Sequence, residues 1–179
     1  MNITCIKIIL LSVAITIGGA SALYSQDARP PDYLVAQSFP DSVAHLSLQS
    51  LTGEDITFGE IVKAHEGRKV VLDFWASWCK DCIVGFPALE QLMSQTSSQG
   101  VDYVFISLDE KKNKWKSAID RFALRGEHYR LTEGWNTPLT HYVVLDWIPR
   151  YLVLDEHGRV ILPKAISASD EHLQRSLLE

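Results

Sequence analysis

Along this chain the spacing of apolar positions changes in a regular order. Val70-Val71-Leu72-Asp73-Phe74-Trp75 is an almost unbroken apolar run rich in β-branched and aromatic residues, the pattern of a strand buried on both faces of a sheet. After it, Cys82, Phe86, Leu89 and Met93 fall at i, i+4, i+7 and i+11. That spacing gives one apolar face of a helix running to about Thr96, with Gly100 ending the unit. Residues 101–108 read as a second buried strand. Trp115, Ile119 and Phe122 at i, i+4 and i+7 predict an amphipathic helix whose other face carries Lys112, Lys114, Lys116 and Arg121. Such a basic face either docks a partner or an anionic lipid surface or is simply solvated, and solvation is the plainer reading.

The flanks are shorter. Residues 46–50 and 55–58, around the turn signal Thr52-Gly53, predict a small β element, and 59–65 a short helix. Residues 126–146 are less legible; a short strand, a loop and one helical turn are expected. His128, His141 and Trp135 in that stretch either line a ligand site or serve the structure, and isolated residues of these types more often do the latter. Residues 151–154 and 160–162, joined by Asp155-Glu156-His157-Gly158-Arg159, form the clearest hairpin. Ser169 is placed to cap a last helix, with Asp170 and Glu171 in its first turn and Leu173 and Leu177 facing inward. Strand, helix, strand, helix, hairpin and helix in this order predict an α/β sandwich, a mixed central sheet with helices on both faces and an N-terminal β extension.

A chain of 179 residues with 46% apolar and 22% charged composition suits one globular domain rather than disorder. Its formal net charge of -5 gives no basic footprint for nucleic acid. The start reads as a secretory signal peptide over 1–22: Lys7 precedes an uninterrupted apolar or small stretch at 8–17, and Ala20-Ser21-Ala22 offers a cleavage pattern. The apolar stretch is short for a membrane span of ~20 residues, although a retained leader would anchor the chain. Cleavage near Ala22 would remove Cys5 and leave Cys79 and Cys82 as the remaining thiols. Residues 23–40, with Pro30, Pro31 and Pro40, read as a linker, so the domain is expected to span 41–179.

The candidate chemistry lies in Trp75-Ala76-Ser77-Trp78-Cys79-Lys80-Asp81-Cys82. A C-x-x-C alone serves equally as half of a zinc site or a small structural bridge. Here it opens a helix at the carboxyl end of a buried strand. Free backbone N–H groups and the helix dipole there favour an anion, so Cys79 is expected to ionise below the ~8.5 of a free thiol and to act as nucleophile. Cys82, one turn deeper, suits the resolving thiol. Asp73, an acid interrupting a buried strand, either accepts the Cys82 proton, its affinity raised by lost hydration, or pairs with a lysine or faces a water-filled gap. Lys80 favours a thiolate while Asp81 repels it, so this pair helps to tune the redox balance.

The segment 71–82 together with Pro87 resembles the active-site segment of the thioredoxin superfamily. The exported start and the run from Trp147-Ile148-Pro149-Arg150 to Ile161 are similar to the TlpA/ResA-like thiol-disulfide oxidoreductases of bacterial envelopes, and the resemblance covers roughly 41–179. It implies a thioredoxin-like sandwich and a cis peptide between Ile148 and Pro149 packed against the dithiol. It also implies a groove in which the backbone of Ile148 pairs with a bound peptide strand, a recognition mode known as strand addition. Trp78 and Trp147 then either flank that groove or belong to the core, and Arg150 either stabilises the Cys79 thiolate or is a solvated charge. The implied activity is exchange with protein disulfides in the periplasm, in the reductive direction, with a membrane electron-transfer protein as redox partner and no cofactor or metal. Preparing cytochrome apoproteins for haem attachment is one role the resemblance suggests, though nothing in these residues selects cytochromes over other clients.

Three other classes share the motif. A thiolate metal-binding module, such as a copper chaperone, needs further ligands, and no histidine adjoins the C-x-x-C. A peroxide reductase of the same superfamily carries a threonine-containing proline loop before its reactive cysteine, which is missing here. A purely structural bridge closed across two residues would stabilise by only ~2 kcal/mol in the loop-entropy picture.

Overall fold

The computed structural model describes Leu34, Val35 and residues 37–178. The predicted signal peptide, its cleavage point, Cys5 and the linker up to residue 33 lie outside the described residues. The described elements are α1 (Asp41–Ala44), β1 (Ser47–Ser50), β2 (Asp55–Thr57), α2 (Phe58–Ala64), β3 (Val70–Trp75), α3 (Lys80–Gln95), β4 (Asp102–Ser107), α4 (Lys112–Phe122), β5 (Glu127–Arg130), α5 (Pro138–Tyr142), β6 (Arg150–Leu154), β7 (Val160–Ala165) and α6 (Glu171–Leu178).

The strands form one sheet in the order β2-β1-β5-β4-β3-β6-β7. β3 is parallel to β4 and β4 to β5, whereas β6 runs antiparallel to β3 and β7 to β6. The sheet is therefore mixed, as expected, and the β1–β2 hairpin extends it by pairing β1 with β5. All of Val70–Trp75 is buried, which a strand achieves only when both faces of its sheet are covered. Phe86 of α3 meets Phe122 of α4 with ring centroids 5.4 Å apart, so these two helices share one layer. α1 packs against both α2 and α5 elsewhere.

Local chemistry sets most boundaries. Thr57 and Glu60 form a reciprocal capping box at the start of α2, satisfying N–H groups that have no partner inside the helix. In the β6–β7 turn, Asp155 accepts backbone N–H bonds from His157 and Arg159. Gly158 has φ +71, and a Cβ there would stand 2.5 Å from Val62 Cγ1, so only glycine fits. The last helix differs from expectation at its cap. Asp170, not Ser169, accepts the N–H groups of His172 and Leu173, because its carboxylate reaches the open first turn.

The final residues of the expected linker join the packed structure. Leu34 is fully buried, and Phe39 meets Phe58 edge to face with centroids 4.7 Å apart. Their apolar side chains have a face of the domain to cover, which no periodicity in so short a stretch reveals.

Candidate active site

β3 delivers the chain to the sheet's carboxyl edge, where residues 76–79 turn into α3. Cys79 is the N-cap of α3, and the Cys82 N–H donates to Cys79 Sγ at 3.1 Å. The two sulfurs are joined in a disulfide. Sulfur at this position receives a backbone donor and the positive end of a helix, so the thiolate released on reduction is stabilised. Cys79 keeps 6% exposure against 1% for Cys82, the order required of an attacked and a shielded sulfur. Lys80 and Asp81 are both exposed.

A hydrogen-bonded brace fixes the turn. The Ser77 N–H and hydroxyl donate to Asp109 at 2.8 and 2.6 Å, and the Ser107 hydroxyl donates to the same carboxylate at 2.9 Å. Arg130 in turn donates to the carbonyls of Asp109 and Glu110. Asp109 was not among the sequence candidates. It lies just past the end of β4, and its link to Ser77 is visible only once β3 and β4 lie side by side.

The peptide between Ile148 and Pro149 is cis, and the Ile148 carbonyl oxygen lies 3.6 Å from Cys79 Sγ. Trp78 is 58% exposed, Trp147 48% and Trp135 40%. These side chains, with Cys79, Lys80, Asp81, Asp146 and Ile148, line a groove of about 410 Å³. Both tryptophans singled out in the sequence thus stand on the surface rather than in the core. Trp135 joins them, which is the ligand-lining alternative rather than the plainer structural one for its stretch. His128 does not: it is buried, stacks on Phe105 and donates to the Leu124 carbonyl. His141 is exposed on α5 and does not line this groove.

Arg150 departs from the solvated-charge alternative. It is 1% exposed, so it is not a solvated charge, and its guanidinium pairs with Asp146 and donates to the Val144 carbonyl. A guanidinium folded under the loop is held by the carboxylate and carbonyl above it. Lys164 also donates to Asp146, at 3.1 Å. Arg150 therefore ties down the 144–149 loop from beneath instead of touching a docked chain.

Asp73 is 1% exposed, and neither of its carboxyl oxygens has a hydrogen-bond partner. Burial pushes its pKa from 3.8 up to about 8. Among the described residues no lysine pairs with it, which argues against the ion-pair alternative. Among the described residues no group of His, Cys, Asp and Glu is arranged to hold a metal ion.

A disulfide at a helix mouth, a cis-proline loop over it and a sealed acid in the preceding strand define a class: the redox-active end of a thioredoxin fold. The thioredoxin-like family model matches residues 67–160, more than half of the chain, and the chain belongs to that family. Similar curated proteins include the thiol-disulfide oxidoreductase ResA of Halalkalibacterium halodurans, 26% identical over 68% of this chain and 65% of that protein. Another is the thioredoxin-like protein YneN of Bacillus subtilis, 30% identical over 68% of this chain and 66% of that protein. The chain thus spans just under two thirds of these curated relatives' own length. Among solved structures, a putative thiol:disulfide interchange protein DsbE from Chlorobium tepidum superposes with TM-score 0.62 at 25% identity, covering 77% of this chain and 94% of that one. The thioredoxin domain of a Bacteroides vulgatus thiol-disulfide oxidoreductase gives TM-score 0.64 at 17% identity over 80% and 94%, which shows the shared fold.

Proposed function

We propose that this protein is a thiol–disulfide oxidoreductase that reduces disulfides of protein clients in the bacterial cell envelope. The observation that carries the reading is the Cys79–Cys82 pair at the mouth of α3, with the attackable sulfur beside the Ile148 carbonyl in a groove rimmed by exposed tryptophans. In the reduced protein the Cys79 thiolate attacks a client disulfide and forms a mixed disulfide. Cys82 then attacks Cys79, releases the client thiol and leaves the bridge on this chain. Asp73, holding a proton near neutral pH, exchanges it with Cys82 as that sulfur alternates between thiol and thiolate. Trp78, Trp135, Trp147 and the backbone of Ile148 present an apolar, strand-binding surface that suits an extended client segment.

The envelope setting is supported by the leader pattern at 1–22, and the reductive direction by the TlpA/ResA-like resemblance of the sequence. A membrane electron-transfer protein is the proposed source of reducing equivalents. Changing Cys82 to Ser removes the resolving sulfur, so clients should remain covalently bound to Cys79 and be recoverable from envelope extracts under non-reducing conditions. The reading fails if the Cys82→Ser variant traps nothing and its Cys79 reacts with alkylating agents no faster than a free thiol.

A further inference from the structure

Exchange at this site needs a proton to enter and leave a carboxyl that the fold seals from water, and the route is set by residues outside the motif. Directly opposite Asp73 in the β3–β6 ladder stands Tyr151. Residues facing each other in an antiparallel pair project from the same side of the sheet. The Tyr151 residue is itself 1% exposed, yet it forms part of the wall of a cavity of about 700 Å³, bounded also by Val84, Gly85 and Ala88 of α3 and by Trp147 and Pro149. Its hydroxyl is directed at α3: a Cβ built on Gly85 would stand 4.0 Å from that oxygen. Gly85 follows Cys82 by three residues, one helical turn, so the hydroxyl lies under the helix face that carries the shielded sulfur. Burial, and then the charge of Asp73, raise the pKa of the phenol, which keeps it a neutral donor and acceptor.

We propose that Tyr151 is a positioning residue for proton transfer, its hydroxyl ordering the cavity water through which the Asp73 carboxyl exchanges its proton with solvent. The inference rests on the thiol–disulfide reading. In reduction by an external dithiol, the donor thiolate bonds to Cys79 Sγ, the bridge breaks, and its electron pair stays on Cys82. Asp73 gives its proton to Cys82, and the carboxylate regains one from water held by Tyr151. The donor's second thiolate then displaces Cys79 and closes the donor's own disulfide, so two electrons pass to this chain. The other charged groups facing the cavity are Asp81 of α3, Asp146 of the loop and Lys164 of β7, with Arg150 beneath Asp146. Burial pushes Asp146 up, but the Lys164 hydrogen bond and the charges of Arg150 and Lys164 hold it below the usual carboxylate range, so it carries no proton to give near neutrality. Asp81 is exposed at the helix surface.

Stopped-flow reduction of the oxidised full chain by dithiothreitol, followed by tryptophan fluorescence from pH 6 to 10, tests the proposal. Tyr151→Phe keeps the ring and loses only the hydroxyl. It should slow reduction about 10-fold, less than the ~10²-fold or more that losing an acid–base group costs, and should flatten the limb of the profile that belongs to Asp73. In an Asp73→Asn background the same change should be silent, since both act on one proton. An unchanged rate and profile in Tyr151→Phe, with its circular dichroism and unfolding midpoint at wild-type values, overturns the proposal, as does an equal loss in the Asp73→Asn background. Wild-type protein that dithiothreitol fails to reduce would instead defeat the exchange reading, so the two failures are distinct.

Discussion

Asp73 couples the chemistry of the site to the stability of the fold. Its native pKa of about 8 stands well above the ordinary 3.8, so between these values the native chain binds a proton that the unfolded chain has lost. Stability therefore falls as pH rises from about 4 to about 8, by up to ~1.4 kcal/mol per unit, and levels off above; below about pH 4 the effect is absent. Asp73→Asn removes the buried ionisation. Its gain in stability over wild type should be larger at pH 9 than at pH 4 by roughly 3 to 5 kcal/mol, read from urea unfolding of the oxidised protein. A gain of the same size at both pH values would mean that another group titrates. This residue was legible in the sequence because one acid inside a continuous apolar strand has nowhere to go but the core. Trp135 was left between two alternatives, since what makes it part of the groove is its closeness to Trp78 and Cys79, more than fifty positions earlier in the chain.

Among the elements, β3 and α3 were readable because each carries a long pattern of a single period, and the motif sits at their junction. α5 was legible only as one helical turn, since five residues are too few to show a period. The turn between β3 and α3 depends on β4: Asp109, just beyond that strand, accepts three hydrogen bonds from Ser77 and Ser107. Asp109→Ala leaves these donors without their acceptor. It should cost about 1 to 3 kcal/mol in stability and speed amide exchange at Ser77, measured by urea midpoint and by hydrogen exchange. If the midpoint falls while Ser77 exchange is unchanged, the brace does not hold the turn that carries Trp78 and Cys79.

At the scale of the whole molecule, the balance between dithiol and disulfide sums contributions from several elements. The N-terminus of α3 favours the Cys79 thiolate and hence the reduced form, whereas exposed Lys80 and Asp81 act on that sulfur with opposite signs. Among the described residues no cationic side chain hydrogen-bonds to the Cys79 sulfur, so the helix terminus is the main contribution favouring the reduced form. The potential is thus expected nearer the ~-270 mV of thioredoxin than the ~-120 mV of the strong oxidant DsbA. Equilibration with glutathione buffers measures it, and a value at the oxidising end would reverse the proposed direction while leaving the exchange chemistry in place.

The sequence by itself determined the sheet-and-helix alternation, the position of the cysteines at a strand-to-helix junction and the buried acid behind them. All of these follow from local period and from the chemistry of adjacent residues. Only the tertiary structure decided that Arg150 is folded beneath the loop, that Trp135 completes the groove, that Asp109 holds the turn and that Tyr151 faces Asp73. Each of these depends on which strands lie side by side and in what register. Register is settled by packing across the sheet, between residues far apart in the chain.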